Sequence, residues 1–436
     1  MAQDVTLDTS VAAEPGFDWL PSNWVVRRFG DLFDVQQGKA LSEAARKGPR
    51  QRPFLRTANV LWSHLNLATL DTMHFSEEEE RKYQLRAGDL LVCEGGEIGR
   101  TALWTESREC LHQNHVHRCR AIDSGSVVPE FYMYWMRHAF LQANMYAGRG
   151  NTTTIANLSK GRLAAFPIAV PPTEEQRAIA QVLHTVQRAQ EASEGVLEAS
   201  RAVKRSAMRH LFENGAVPVS DSPSETEWPY TELQEAVKHD RPICYGILKP
   251  GPHVPDGIPY VRVADYPTGR LNVGTLRRTS PQIAGEYKRS QLRQGDILVS
   301  IRGTTGRTTL VPEELEGGNI TQDTARITPS DEFDRDFLLF FLQSEPAQAY
   351  IRSWTRGAAV RGINLRELRR LPVPTPSILE QRTMADHLRA VDQKLVAEGR
   401  HRDALNWLFK SLLHDLMTGS RRAPTDGAGG SAQDSA

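Results

Sequence analysis

The sequence predicts an α+β protein in which two similar globular domains are separated by two long antiparallel helices, the whole being an internal pseudo-twofold repeat. Three observations predict it. Two segments, 171–213 and 376–418, carry a sustained apolar seam with three- and four-residue spacings, the pattern of a helix packed along a partner helix. The stretches 17–170 and 228–375 are built of short apolar runs punctuated by glycine, the pattern of strands and turns. The same motifs recur in both halves at a near-constant offset, the mark of a repeat.

Each long segment follows a proline-marked exit, Pro171-Pro172 and Pro372-Val373-Pro374-Thr375-Pro376. Each opens with a capping-box pattern, Thr173-x-x-Gln176 and Ser377-x-x-Glu380, in which hydroxyl and N3 side chain satisfy the first free amides. The first seam reads Ile179, Val182, Val186, Ala189, Ser193, Val196, Ser200, Val203, Ala207. The second reads Met384, Leu388, Val391, Leu395, Glu398, Arg402, Leu405, Phe409, Leu412, Leu416. Both turn polar near a central glycine, Gly195 and Gly399. A mid-helix glycine is either a tolerated weakness of about 1 kcal/mol against alanine or a point where two crossing helices approach closely. The remaining segments complete the division: 1–16 reads as a disordered extension, 214–227 as a polar linker and 419–436 as a low-complexity disordered tail.

The repeat is specific. Leu85-Arg-Ala-Gly-Asp-Leu-Leu-Val92 matches Leu292-Arg-Gln-Gly-Asp-Ile-Leu-Val299, and Gly99-Arg-Thr-Ala-Leu103 matches Gly306-Arg-Thr-Thr-Leu310, both at an offset of 207. Pro53-Phe-Leu-Arg-Thr-Ala matches Pro259-Tyr-Val-Arg-Val-Ala at 206. Arg149-Gly150 aligns with Arg356-Gly357, and Ile155-Ala-Asn-Leu158 with Gly362-Ile-Asn-Leu365, at 207; the Glu-Gln-Arg of the helices repeats at 205.

Composition excludes several classes. A chain of 436 residues with 39% hydrophobic and 24% charged content is that of a globular protein with two or three cores. No apolar run reaches the roughly 18 residues of a membrane span. The polar, acidic start lacks the basic and apolar regions of a signal peptide. Four cysteines without a CxxC pair fit a reducing, cytoplasmic setting. A formal net charge of +0 leaves nucleic-acid binding to a locally basic face.

The order Gly-Asp-(Leu/Ile)-Leu, Gly-x-x-Gly-Arg-Thr, Asn-Leu, then Pro-x-Pro before a Glu-Gln-Arg helix, in two copies over residues 19–418, resembles the specificity (S) subunit of type I restriction–modification systems. The resemblance implies that 17–170 and 228–375 are target-recognition domains and that the helices are conserved spacers. It also implies a non-catalytic chain that binds double-stranded DNA, with no cofactor of its own and no membrane partner. Its implied partners are two modification (methyltransferase) subunits and, through them, restriction subunits that translocate and cleave DNA. S-adenosylmethionine, ATP and magnesium belong to those partners.

Two similar domains on antiparallel helices suit the pseudo-twofold symmetry of DNA. Helices extending about 60 Å suffice to set two domains roughly 34–36 Å apart, one turn of DNA. Because the domains differ most outside their shared motifs, the expected target is bipartite and asymmetric.

Within the shared segment, Arg100-Thr101 and Arg307-Thr308 follow apolar strands and glycines that permit positive φ. They read as a fold-defining turn or a phosphate contact sooner than as base readers, because both copies share them. Base reading is expected where the copies differ. With Gln113 set against Gln322, His112-Gln113-Asn114-His115 lies opposite Ile320-Thr321-Gln322-Asp323; Gln and Asn suit adenine, and Asp accepts from cytosine. The polar loops around Arg149 and Asn151, and from Arg356 to Arg361, are further candidates. Arg56 and Arg262 occupy matching positions as phosphate contacts or internal ion pairs.

Competing chemistry is thin. His115, His117 and Cys119 alternate, with His112 and Cys110 nearby, but the spacing is not that of a zinc ribbon or finger. Asp71…Glu80-Arg-Lys82 loosely fits a magnesium nuclease pattern, although Glu77–Glu80 also reads as a helix start capped by Ser76. Val170-Pro-Pro-Thr173 lacks the leading Asn or Asp and the aromatic of an adenine-methylase loop, and no Walker A motif occurs. The runner-up functions are a self-sufficient magnesium-dependent nuclease and a scaffold that does not read DNA.

Overall fold

The computed structural model describes residues 17, 19–143, 145, 157–213, 228–357 and 361–424. Compact units cut across the linear order. One gathers the chain up to Ser193 with the part from His401 onward; the other is Glu194–Arg400. Each unit therefore holds one globular domain, one half of its own following helix and one end of the other.

In the first unit, β1 (Val25–Arg28), β2 (Phe33–Gln37), β3 (Gln51–Leu55), β4 (Asp71–His74), β5 (Leu90–Cys93), β6 (Thr101–Leu103), β7 (Leu111–His112), β8 (Val116–Ala121) and β9 (Pro167–Val170) form three sheets. The order β2-β8-β5-β6 is antiparallel throughout. The order β4-β3-β7 has β7 parallel to β3, with Leu55 beside His112, and β1 pairs with β9. Besides short helices at Phe29–Leu32 and Glu43–Lys47, the helices are α1 (Glu77–Tyr83), α2 (Pro129–Leu141) and α3 (Lys160–Ala164).

Among the described residues the second unit repeats these three sheets, without the Val60–Leu61/His64–Leu65 hairpin of the first. Its strands are β10 (Tyr230–Glu232), β11 (Cys244–Tyr245), β12 (Ile258–Val261), β13 (Arg277–Thr279), β14 (Ile297–Ser300), β15 (Thr308–Leu310), β16 (Asn319–Ile320), β17 (Thr324–Ile327) and β18 (Pro372–Pro374). The orders are β11-β17-β14-β15, β13-β12-β16 and β10-β18, again with a single parallel pair, β12 and β16. Besides a short helix at Pro281–Glu286, its helices are α4 (Arg335–Gln343), α5 (Glu345–Trp354) and α6 (Leu365–Arg369).

The long helices run Thr173–Glu213 and Ile378–Met417. They are antiparallel within each unit. In the first, Arg422, beyond the end of one, reaches Glu175 at the start of the other, and Gln190 bonds Asn406 at 2.7 Å. In the second, Lys204 pairs with Asp392 at 2.6 Å, and Leu211 shares a core with Met384 and Leu388.

Both domains bury their long helix through an aromatic helix. In the first unit Phe131, Tyr132 and Trp135 of α2 pack with Ile179, Leu183, Phe409 and Leu413. In the second, Phe337 and Phe341 of α4 pack on Phe212. A buried glutamine latches each joint. Gln176 accepts from the Val128 amide (2.9 Å) and donates to Pro171 (2.9 Å); Gln381 accepts from Asp334 (2.8 Å) and donates to Pro376 (3.0 Å).

Three local expectations need correction. The Ser377–Glu380 capping box forms, but Gln176 is spent on the latch, and the Thr173 hydroxyl donates to the Ser126 carbonyl instead. The second seam is at least partly buried along its length, whereas the first drifts: Val196 and Val203 are exposed, and Leu197 and Lys204 take inward positions beside the buried Ser200. A straight helix has 3.6 residues per turn, so a 3.5-residue reading slides off the buried stripe. Gly195 and Gly399 mark no close approach, since a Cβ on either meets nothing within 4 Å. Among the described residues no helix is long and apolar enough to cross a membrane.

Candidate nucleic-acid interface

The two domains present equivalent loops around one turn, the β7–β8 connection and its counterpart between β16 and β17. Backbone bonds fix the correspondence. The amides of Gln113 and Thr321 bond to Leu55 and Val261, and those of Asn114 and Gln322 bond to Lys39 and Ile247. The carbonyls of His115 and Asp323 accept from Glu94 and Ile301. Asn114 is thus the counterpart of Gln322, and His115 of Asp323. The sequence alignment that set Gln113 against Gln322 is one residue out, because a shared residue type outweighed the register of the strands. A glycine allows the crossing in both copies: a Cβ at Gly38 would lie 2.3 Å from the Gln113 carbonyl oxygen, and one at Gly246 1.9 Å from that of Ile320.

Gln113, Asn114, Gln322 and Asp323 are all partly exposed at this turn, so their side chains are available at the surface. Gln37, Glu94 and His115 gather beside them in the first domain. Gln37 Nε2 donates to Glu94 Oε2 at 3.2 Å, and His115 Nδ1 lies 3.6 Å from the same oxygen. Sequence reasoning missed Gln37 and Glu94. The signal was the pairing of β2 with β8, which sets Gln37 against His117 as β11 and β17 set Tyr245 against Ala325.

The shared glycine-rich segment is a turn held from inside. Gly96, Gly99, Gly303 and Gly306 adopt φ of +74°, +80°, +73° and +83°, a region that disfavours side chains. Arg100 Nη2 donates to the Thr57 carbonyl at 2.9 Å, and Arg307 Nη1 to the matching Val263 carbonyl at 3.3 Å. Thr101 is fully buried, its hydroxyl donating to Gly99, and Thr308 is buried, accepting from Gln343. Both threonines leave the candidate set, because a strand side chain inside a sheet offers no surface to DNA.

Arg56 and Arg262 are engaged internally but keep partial exposure. Arg56 lies 3.2 Å from Asp71, and Arg262 grips the buried Asp265 at 2.6 and 3.1 Å. The hydrogen bond to that carboxylate raises the Arg262 pKa above its usual range. Arg356 and Arg361 are exposed; Arg356 Nη1 donates to the Ser353 carbonyl at 2.7 Å. Arg149 and Asn151 lie outside the described residues. The equivalence of Asn157-Leu158 with Asn364-Leu365 also shifts. Leu158 and Ile363 make the same amide bond, to Glu94 and Ile301, and Ser159 and Asn364 are the matching helix N-caps.

The metal patterns resolve into other roles. His117 Nε2 contacts the Leu158 carbonyl at 2.8 Å, Cys119 lies in the core, and all four cysteines are free and buried. Among the described residues no group of three or more His, Cys, Asp or Glu could hold a metal ion. Glu80 bonds Arg50 (2.6 and 2.9 Å) and Arg52 (2.7 Å), and the bond to Arg50 holds its carboxyl down to about 2. The Ser76 capping box that opens α1 is formed.

A model of the type I restriction modification DNA specificity domain matches residues 21–199 and 253–405, once in each half. The EcoBI specificity subunit of a type I restriction enzyme from Escherichia coli is 28% identical over 359 residues, 78% of this chain and 72% of that one. Two solved chains share the fold. The S subunit of a type I restriction-modification system from M. genitalium has a TM-score of 0.58 at 17% identity, covering 90% of this chain and 96% of that one. A chain from a study of assembly and conformational transition in a type I R-M system has 0.55 at 18%, covering 92% and 99%.

Proposed function

Because this chain belongs to the type I restriction modification DNA specificity family, we propose that it reads a bipartite, asymmetric double-stranded DNA target, one half with each domain. It docks two modification subunits and, through them, restriction subunits, in the cytoplasm. It supplies recognition and carries no active site; S-adenosylmethionine, ATP and magnesium serve the partners. The observation that carries this reading is duplication with divergence. The order and register of the three shared sheets repeat, while the side chains at the turns differ, Asn114-His115 against Gln322-Asp323. A shared frame with different donors and acceptors is what two half-sites of different sequence require.

The test is methylome sequencing of cells with the modification subunit, with and without this chain. A bipartite methylated motif that disappears with the chain is the expected result. Exchange of residues 228–375 for a relative's domain changes one half of the motif and leaves the other. A motif that persists without the chain, or magnesium-dependent cleavage by the purified chain that is lost in Asp71→Ala, overturns the proposal.

A further inference from the structure

Three exposed arginines of the second domain, Arg302, Arg356 and Arg361, meet at one backbone junction. Gly362 forms bridges to both Arg302 and Arg356, and the Gly303 amide bonds to the Arg361 carbonyl at 2.9 Å. None of the three pairs with a carboxylate among the described residues, and the Arg302 side chain has no hydrogen-bond partner among them. Three other arginines of the domain are spent internally. Arg307 is tied to Val263, Arg262 to Asp265, and the largely buried Arg326 to Pro242 and Arg289 carbonyls. An uncommitted guanidinium in such a setting is available to a ligand rather than to the fold.

Arg302 also differs between the copies, next to a glycine, Gly96 or Gly303, that does not. It directly precedes the shared Gly-x-x-Gly-Arg turn, and its first-domain counterpart is Gly95. Across the bridge the sizes are exchanged: Asn157 stands where the second domain has Gly362. A Cβ on Gly362 would lie 3.1 Å from Arg302 Cγ, so the absence of a side chain there makes room for the arginine stem. The Arg302 amide points at the Asp323 carbonyl, 3.3 Å away, which sets the residue beside the turn that carries Gln322 and Asp323.

We infer that Arg302 is a specificity-determining residue of the second domain, its planar fork donating to the O6 and N7 acceptors of a guanine in the major groove. Arg356 and Arg361 flank it and hold the phosphates. This rests on the DNA-reading role proposed above. The argument for a base over a phosphate is the divergence of the position: the arginines of the shared turn, Arg100 and Arg307, are tied to backbone carbonyls, and this one occurs in a single copy. A bidentate arginine–guanine contact discriminates against a wrong base by roughly 5- to 150-fold.

The experiment uses the full chain assembled with its modification subunits, on duplexes with every substitution of the second half-site. Wild-type dependence of the motif on this chain is established first, so failure of the DNA-reading role shows there, before any variant is made. Arg302→Ala then loses selectivity for guanine at one position of the second half, by roughly 5- to 150-fold, with the first half unchanged. Arg302→Lys keeps the charge and loses the fork, so selectivity falls while the salt dependence of binding holds. Two outcomes overturn the inference: an unchanged motif in Arg302→Ala, or uniform weakening on all sequences with the log–log salt slope reduced by about 1, the behaviour of a phosphate contact.

Discussion

His112 sits on β7 where the second domain places Ile320 on β16. Its Nδ1 lies 3.0 Å from the Tyr83 carbonyl and its Nε2 3.3 Å from that of Gln36. Burial lowers its pKa to about 4, outweighing the two carbonyls, which favour the protonated ring. The unfolded chain takes up this proton near the ordinary value of about 6.5, and the folded chain resists it until about 4. The stability that depends on neutral His112 is therefore complete above about 6.5 and is lost progressively as pH falls towards 4. Chemical denaturation across that window should show a weaker loss in His112→Ile, which places the second copy's residue type in the first. An unchanged slope would assign the acid sensitivity to other groups. At this scale the sequence marked a polar turn but not which side chains face outward. Gln113 and Asn114 kept partial exposure, while Thr101 and Thr308 were lost to the sheet interior. Strand alternation can be read in a sequence, but its phase is set by pairing.

At the scale of the element, Gly195 and Gly399 weaken two long helices without serving any close approach within the chain. Gly195→Ala and Gly399→Ala should each add about 1 kcal/mol, read by thermal or urea unfolding. A destabilised variant would mean that the missing side chain matters to the folded chain after all. The glutamine latches predict the opposite sign. Gln176→Ala and Gln381→Ala remove an acceptor from the amides of Val128 and Asp334 and a donor from the carbonyls of Pro171 and Pro376. Each should cost about 2 kcal/mol in urea denaturation, because buried groups are left unpaired. A loss under about 0.5 kcal/mol would show that water replaces the amide. The Glu-Gln-Arg signature was legible as a helix start. Its glutamine's partners in the domain were not, since they lie 47 to 50 residues away in sequence.

At the scale of the molecule, exchange of a recognition domain must preserve the joint it makes with its helix. In the second unit that joint is Phe337 and Phe341 of α4 against Phe212, at ring separations of 5.7 and 5.8 Å. Phe341→Ala should cost about 3–5 kcal/mol by the cavity it leaves, measured by urea unfolding. A chimera that keeps these aromatics should fold where one that lacks them fails. If it folds equally well without them, the joint is not what holds the domain to its helix. The sequence by itself determined the repeat, the two domains, the long helices and the family, because periodicity and recurring motifs are local properties of the chain. Only the tertiary structure decided the register that pairs Asn114 with Gln322, the drift of the first seam to Leu197 and Lys204, and the burial of Thr101 and Thr308. These depend on hydrogen bonds and contacts between segments far apart in sequence, and no window along the chain contains both partners.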